Sequence, residues 1–288
     1  ALRPHVAGQQ GVGILLPPSV GGALVNLSAT LLRKVTVNLN FTASADAFRS
    51  AIRQANLQTI VTSRAFVEKF PQFADLPGLV FAEDLGAGIS ALDKVRALLA
   101  ARLAPVCALT RVYGVSADDV ATVIFSSGTT GDPKGVMLTH HNILSNVESF
   151  NMVVRPRPSD HLCATLPLFH SFGFTCGLWF PALCGVRASY HVSPLDAGKV
   201  AEVVRTRRCT VIFVTPTFLT AYLRKADRED FASLRLVVVG AEKLKPRLAD
   251  AFEERFGVRP LEGYGATELS PVAALSLPDH EVDGVYQT

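Results

Sequence analysis

The sequence predicts an α/β protein with two parallel-type sheets and flanking helices in a layered arrangement. Short β-rich runs alternate with helical patterns along the chain, as they do in parallel sheets covered by helices. The 288 residues exceed the ~100–200 of one ordinary domain, which favours about two lobes. Hydrophobic residues make up 49% of the chain and charged residues only 18%, against a typical ~25%, so a large core is expected and disorder is excluded.

The first half alternates strands with amphipathic helices. Its predicted elements are a strand at 13–16, a helix at 46–56 with Phe48, Ile52 and Ala55 on one face, a strand at 59–62, a helix carrying Leu92, Val95, Leu99 and Leu103, and a strand at 121–125. The last strand runs directly into a loop of small residues.

The second half repeats this alternation. Its predicted elements are a helix at 200–207, a strand at 210–214, a helix at 217–224, a strand at 236–239, a helix at 245–256 and an extended segment at 260–262 that leads to a glycine-bearing turn. Two X-Pro steps at Pro156 and Pro158 disfavour helix, so residues 153–160 form the predicted linker. We therefore predict one subdomain at 1–157 and a second at 158–288.

Charge and hydropathy exclude several classes of protein. The 28 basic and 25 acidic residues give a net charge of +3 without a basic block, which argues against nucleic-acid binding. The longest apolar stretch, 12–32, is interrupted by prolines, glycines and Asn26, so no transmembrane helix is predicted. The start lacks Met and a signal-peptide pattern, so no leader is expected.

The five cysteines show no CxxC pairing. They are Cys107, Cys163, Cys176, Cys184 and Cys209. We interpret them as small buried hydrophobic residues of a reducing compartment.

A loop rich in glycine and hydroxyl groups follows the strand at 121–125. Its members are Ser126, Ser127, Gly128, Thr129, Thr130 and Gly131, followed by Lys134. Backbone N–H groups in such a loop can approach an anion closely, hydroxyls add donors and the lysine adds a mobile positive charge, so a triphosphate is the expected guest. The P-loop pattern needs Gly-Lys-Ser/Thr and is excluded, because here Lys134 precedes Gly135. A flexible surface turn is the alternative.

A second loop, at 262–268, combines an aromatic ring with a hydroxyl and a carboxylate. Tyr264 lies between Gly263 and Gly265, and Thr267 and Glu268 follow. The ring can stack on a base, the hydroxyl can reach a phosphate and the carboxylate can hold a magnesium ion. The dinucleotide fingerprint is excluded, because Glu268 stands where its third glycine belongs. An ordinary strand-to-helix turn is the alternative.

Two further segments carry candidate residues. Gly240, Ala241 and Glu242 end a predicted strand, and ligands of open parallel sheets bind beyond such strand ends, so these loops can converge on one crevice. His170 lies among aromatic residues, either as a core histidine or as the lining of an apolar substrate pocket. His140 and His141 lie at a predicted helix start and, without a third ligand, do not suggest a metal site.

In this order and spacing, the loops at 126–135, 167–173 and 263–268 resemble the adenylate-forming acyl-activating enzymes. That superfamily includes acyl-CoA synthetases, luciferases and the adenylation domains of peptide synthetases. Segments 37–42, 62–66, 167–173 and 240–244 are similar to the acyl-acyl-carrier-protein synthetase domain of the bifunctional acylglycerophosphoethanolamine acyltransferases and to long-chain acyl-CoA synthetases. The resemblance runs from about residue 11 to the chain end and identifies it as part of a large N-terminal domain.

The resemblance implies an ATP- and Mg²⁺-dependent acid–thiol ligase. A fatty acid would attack the α-phosphorus of ATP, and the acyl group would pass to the thiol of CoA or of a carrier protein's phosphopantetheine. By this resemblance, Ser126 to Gly131 and Lys134 would bind the β- and γ-phosphates, and Thr267 would reach the α-phosphate. Tyr264, between Gly263 and Gly265, would pack on the adenine, with Gly240, Ala241 and Glu242 framing it. Glu268 would hold magnesium, and His170 would lie at the mouth of the acyl tunnel.

The sequence also departs from the family. Only twenty residues follow Glu268, too few for the ribose-binding aspartate, the hinge and the small lid domain with its lysine. We therefore expect a fragment that is inactive on its own. The resemblance also implies a cytoplasmic location. If the protein acts in phospholipid recycling, the expected location is the inner face of the bacterial inner membrane. The alternative function is a non-catalytic nucleotide-binding or scaffold module.

Overall fold

A computed structural model describes residues 1–105, 108, 116–126, 132–277, 280–282 and 285–287. The chain divides into two compact units, one of Ala1–Leu16 and Gly21–His141 and the other of Pro17–Val20 and Asn142–Thr288. This division lies before the subdomain boundary predicted at 157/158, which remains a prediction.

The first unit contains a sheet in the order β4-β3-β1-β2-β5-β6. Its strands are β1 (Gly11–Ile14), β2 (Val35–Asn38), β3 (Ile60–Thr62), β4 (Leu79–Phe81), β5 (Val120–Ser126) and β6 (Lys134–Thr139). The first five strands are parallel and β6 pairs antiparallel with β5. Its helices are α1 (Val20–Leu31), α2 (Ala45–Gln54), α3 (Arg64–Lys69), α4 (Ala82–Ala87), α5 (Ala91–Leu103) and the start of α6 (His140–Val154).

Local sequence explains several of these elements. The Ser44 side chain caps α2 by accepting a hydrogen bond from the Ala47 amide, as N-cap serines do. Asn26 and Asn38 are buried, and each amide group donates to the other's oxygen, at 3.1 and 2.8 Å. This pair joins α1 to β2 without leaving the shared amide groups unsatisfied.

The second unit contains a sheet in the order β12-β11-β10-β9-β7-β8. Its strands are β7 (His161–Ala164), β8 (Arg187–Tyr190), β9 (Val211–Val214), β10 (Leu236–Val239), β11 (Leu261–Gly265) and β12 (Val272–Leu275). All neighbours are parallel except β12, which pairs antiparallel with β11. A separate antiparallel pair is formed by β13 (His280–Val282) and β14 (Val285–Gln287).

Helices cover this second sheet. They are most of α6, α7 (Ser171–Phe174), a π-helical turn (Thr175–Trp179), α8 (Phe180–Cys184), α9 (Ala197–Arg207), α10 (Pro216–Lys225) and α11 (Pro246–Phe256). The central strand β9 is entirely buried. Val211 and Phe213 point into a cluster with Phe150 of α6 and Phe180 of α8, whereas Ile212 and Val214 point into a cluster with α9, α10 and α11. Apolar cover on both faces is the arrangement expected of a mainly parallel sheet.

The predicted α/β class is confirmed, with two corrections in detail. Each sheet is mixed, because β6 and β12 are antiparallel edge strands that the sequence did not reveal. Residues 134–139, predicted as loop running into a helix, form the strand β6. Residues 263–265, predicted as a turn, form the end of β11, so the turn itself begins only after Gly265.

Helix α5 has the predicted position, but its apolar stripe is not buried by the residues that the structure describes. Leu92, Val95, Leu99 and Leu103 are 52–79% exposed. Among the described helices, none combines the length and the apolar character needed to cross a membrane.

Candidate functional site

A cavity of about 210 Å³ lies in the second unit, beyond the carboxyl ends of β10 and β11. Three of the segments predicted from sequence meet there: His170 with the residues after it, Gly240 with Ala241, and the 263–267 loop. The remaining wall is apolar and consists of Phe172, Val238, Pro271, Val272 and Leu275. The convergence follows from the fold, because parallel strands end at the same edge of their sheet.

Tyr264 lies at the mouth of this cavity. Tyr264 is paired with Ala274 of β12 and the residue is 70% exposed, so its ring is accessible for stacking. The next residue must be glycine for packing reasons, because a Cβ on Gly265 would lie 2.1 Å from the Pro271 carbonyl oxygen. The pairing of β11 with the edge strand β12 therefore fixes where the ring is presented.

A 3₁₀ turn, Thr267–Leu269, follows β11. The Ser171 hydroxyl donates to the Thr267 hydroxyl at 3.4 Å, which links α7 to this turn across the cavity wall. Glu268 is exposed and does not line the cavity. Within the described part of the chain, its carboxylate has no ion pair, so it is available to a cation.

The segment after β10 approaches the cavity from the other side. The Phe172 ring packs so closely on Gly240 that a Cβ there would lie 3.2 Å from its Cε1 atom. Ala241 has a φ of 69°, a left-handed conformation that is uncommon for a residue with a Cβ and often found at functional sites. Glu242 does not line the cavity. Its carboxylate instead accepts a hydrogen bond from the Thr217 hydroxyl at 2.9 Å.

His170 precedes α7 and lines the cavity beside Ser171. The residue is exposed, yet the protein atoms around the imidazole displace enough water to lower its pKa, because desolvation disfavours the charged ring. The neutral form, which both donates and accepts a hydrogen bond, is therefore favoured at neutral pH.

Two residues that the sequence did not single out hold these loops in place. The Glu262 carboxylate accepts a hydrogen bond from the Leu244 amide at 2.8 Å and so fixes the chain after β10 to β11. Asn146 of α6 makes three hydrogen bonds to residues 269 and 272. Glu262 is the first residue of the loop predicted at 262–268, although no role was predicted for it, whereas nothing near Asn146 in the sequence marks that residue.

The predicted phosphate loop belongs to the first unit. Ser126 ends β5 and is paired opposite Lys134, the exposed first residue of β6. The remaining predicted phosphate-binding residues, Ser127, Gly128, Thr129, Thr130 and Gly131, lie outside the described residues. Among the described residues, no cluster of three or more His, Cys, Asp or Glu side chains could by itself hold a metal ion.

Comparison with known proteins identifies relatives over nearly all of the chain. The family model described as AMP-binding enzyme matches residues 1–286. The chain is 31% identical to 4-coumarate-CoA ligase 1 of Narcissus pseudonarcissus over 277 residues, which covers 92% of this chain and 49% of that protein. It is 30% identical to the medium-chain fatty-acid–CoA ligase of Escherichia coli K12, over 72% of this chain and 36% of that protein.

The fold also matches solved structures. The crystal structure of ATP-bound MatB from Rhodopseudomonas palustris superposes with a TM-score of 0.76 at 23% identity, covering 97% of this chain and 54% of that one. This likeness confirms the fold predicted from sequence. The chain spans about half the length of the curated 4-coumarate–CoA ligase that it matches.

Proposed function

Because the chain belongs to the AMP-binding enzyme family, we propose that it forms the adenylating core of an acid–thiol ligase. A carboxylate oxygen attacks the α-phosphorus of ATP, the bond to the β-phosphate oxygen breaks and pyrophosphate leaves. A thiol then attacks the acyl carbon of the acyl-adenylate and AMP leaves. The observation that carries the proposal is the convergence of His170, Gly240–Ala241 and the Tyr264–Thr267 loop on one cavity.

The nucleotide end of the cavity is assigned to the polar residues. Tyr264 is exposed and offers an aromatic ring to a base, and Gly240, which packs against the Phe172 ring, is assigned to the frame of that base. The Thr267 hydroxyl donates to an α-phosphate oxygen, as its weak 3.4 Å contact with Ser171 leaves it able to exchange partners. Ser126, residues 127–131 and Lys134 are assigned to the β- and γ-phosphates on their composition.

Glu268 fits a magnesium ion. Mg²⁺ prefers oxygen ligands and is commonly held by one or two carboxylates together with substrate phosphates. An exposed carboxylate without a competing cation among the described side chains supports this assignment. When bound, the ion would neutralise charge on the phosphates.

The acid is proposed to be apolar, with a fatty acid favoured over acetate or an amino acid. Phe172, Val238, Val272 and Leu275 give the cavity its apolar wall. A relative is a medium-chain fatty-acid–CoA ligase, and another is a 4-coumarate–CoA ligase, so an aryl acid is the second candidate. His170, which lines the cavity and favours its neutral form, is assigned to orienting the carboxylate.

The acceptor is proposed to be CoA or a carrier-protein phosphopantetheine. The CoA ligases among the relatives support CoA. The likeness of segments 37–42 and 240–244 to acyl-acyl-carrier-protein synthetases supports the carrier protein and, with it, a role in phospholipid recycling.

The test is ATP–pyrophosphate exchange by the protein as its gene encodes it, with octanoate, palmitate, 4-coumarate and acetate as probe acids. We expect exchange with octanoate or palmitate to exceed exchange with acetate by at least tenfold. Lys134→Ala and Glu268→Gln should each lower the rate on the order of 100- to 1,000-fold, because each removes one charged contact to phosphate or metal.

The matched control is Glu254→Gln, an exposed glutamate on α11 away from the cavity lining, which should leave the rate unchanged. Exchange that needs no acid, or that survives both Lys134→Ala and Glu268→Gln, would contradict the proposal and favour a non-catalytic nucleotide-binding module.

A further inference from the structure

The side chain of Asn146 connects helix α6 to the turn that carries Thr267 and Glu268. We propose that Asn146 is a positioning residue for adenylation: it holds this turn and the adjoining cavity wall in the arrangement that the reaction needs. The inference rests on the proposed function and adds to it a residue that does not line the cavity.

The whole amide group of Asn146 is used. Its Nδ2 donates to the Leu269 carbonyl oxygen at 3.0 Å and to the Val272 carbonyl oxygen at 2.8 Å. Its Oδ1 accepts from the Val272 backbone N–H at 3.3 Å. An asparagine offers two N–H donors and one carbonyl, so both ends of the group are engaged by one short segment.

The position of that segment in the sheet explains why a side chain is needed there. Among the strands that the structure describes, β12 lies at the edge of its sheet and pairs with β11 alone. The N–H and C=O of Val272 that bond to Asn146 belong to the start of this strand, where edge backbone groups otherwise lack a strand partner. Asn146 pairs with Val272 as a neighbouring strand would, and its third bond reaches the Leu269 carbonyl at the end of the 3₁₀ turn.

These contacts enclose the residues assigned to chemistry. Thr267 and Glu268 precede Leu269, and Pro271 and Val272 line the cavity. The local backbone bonds of the turn run from Leu269 N–H to Ala266 O at 3.0 Å and from Ser270 N–H to Thr267 O at 3.2 Å, and the Ser171 hydroxyl adds its 3.4 Å bond to Thr267. Without Asn146, the turn would keep its local shape but lose its anchor to α6, so Thr267 and Glu268 would shift relative to the cavity.

The experiment compares Asn146→Ala and Asn146→Asp with Asn151→Ala, an exposed asparagine of the same helix, in the protein over its whole encoded length. ATP–pyrophosphate exchange is measured with octanoate at a temperature at which circular dichroism shows every variant fully folded. We expect Asn146→Ala to lower kcat on the order of 10- to 100-fold, as small displacements of catalytic groups do, with KM for octanoate within about threefold. Asn146→Asp should be lower still, because its carboxylate faces two carbonyl oxygens. Asn151→Ala should match the wild type.

A second arm separates positioning from simple stabilisation. If Asn146 acts through the turn, Asn146→Ala should cost at least fivefold less in a Glu268→Gln background than in the wild type, because groups that act as a unit are non-additive. Fully multiplicative losses, or a kcat loss that disappears once the folded fraction is accounted for, would overturn the positioning role.

The two proposals fail in different ways. If Asn146→Ala exchanges pyrophosphate as fast as the wild type while Glu268→Gln loses most of its exchange rate, only the role of Asn146 is overturned. A Glu268→Gln variant with full activity overturns the proposed function itself.

Discussion

Asp160 is a carboxylate of the second unit with several hydrogen-bond donors around it. It is buried and accepts hydrogen bonds from the Arg235 guanidinium, the Arg157 backbone N–H and the Thr210 hydroxyl. Burial by itself would raise the pKa of this carboxyl group, but the bonds from Arg235, Arg157 and Thr210 and the charge of Arg235 outweigh it and lower the pKa to about 2. Asp160 therefore fixes the end of the linker predicted at 153–160 to the sheet.

Asp160→Asn should destabilise the protein by roughly 2 kcal/mol at pH 7, the free energy that corresponds to a pKa lowered from 3.8 to about 2. Because the folded-state pKa is depressed, this contribution is present above about pH 4 and is lost as the pH falls toward 2. The variant should therefore approach the wild type in Tm between pH 4 and pH 2, as measured by calorimetry. Asp250→Asn, whose side chain is 62% exposed, is the control and should stay within about 0.5 kcal/mol. If the difference in Tm between the wild type and Asp160→Asn stays constant over this pH range, the ionisation of Asp160 does not contribute to stability in this way.

Two glycines of one helical segment differ in what surrounds them. A Cβ on Gly173 would lie 2.1 Å from the Pro167 carbonyl oxygen, whereas nothing lies within 4 Å of a Cβ on Gly177. Gly173 lies in α7, directly after His170 and Phe172 of the cavity wall. Its lack of a side chain is what lets α7 pack against the segment that precedes it.

Gly173→Ala should lower the free energy of unfolding by about 1–3 kcal/mol, the usual cost of overpacking a filled site. Gly177→Ala, its matched control, should be neutral or stabilising by up to about 1 kcal/mol, because alanine is the better helix former. Urea unfolding midpoints measure both. Equal losses in the two variants would mean that the close approach at Pro167 does not decide the outcome.

The elements that sequence reasoning found and missed differ in burial and composition. Residues 236–239, all buried and β-branched or leucine, were predicted with the observed bounds of β10. Strand β6 was not predicted, because this edge strand is largely exposed and its apolar and polar residues do not alternate. The end of β11 was not predicted, because Gly263 and Gly265 are atypical of strands. The roles of Asn146 and Ser171 depend on contacts with residues about 100 positions away, which leave no local pattern.

The convergence of loops on the cavity was easier to predict from the sequence than the side chains that face it. Loops after parallel strands meet at one sheet edge, so the convergence of His170, Gly240 and Tyr264 follows from their positions in the chain. Glu242 was predicted together with them, but it does not line the cavity, and its carboxylate accepts a hydrogen bond from the Thr217 hydroxyl. Which side chain of a loop faces the cavity depends on backbone torsions such as the positive φ of Ala241, and composition does not give these.

Each of the two units has buried clusters of its own. Phe252 is fully buried in a cluster of the second unit, and Phe48 is buried in a cluster of the first. Because the clusters are separate, we expect a destabilising substitution in one of them to increase local unfolding first in the strands of the same unit.

Phe252→Ala should accelerate amide hydrogen exchange in β9 and β10 by at least about 100-fold, because the loss of a buried phenylalanine costs about 3–5 kcal/mol. Exchange in β1 and β2 should change by less than threefold. Phe48→Ala is the reciprocal control and should reverse the pattern. Equal acceleration of both strand sets in both variants would show that the units unfold as one.

The π-helical turn has a practical consequence. The sequence contains a single tryptophan, and Trp179 is the last residue of that turn, with its ring 6.1 Å from Phe174 of α7. Its indole N–H is buried without a hydrogen-bond partner among the described residues. Tryptophan fluorescence from this chain thus arises at one location, a few residues along the same helical segment from Phe172 of the cavity wall. The chain carries its own optical reporter for events at that wall, and no dye has to be attached.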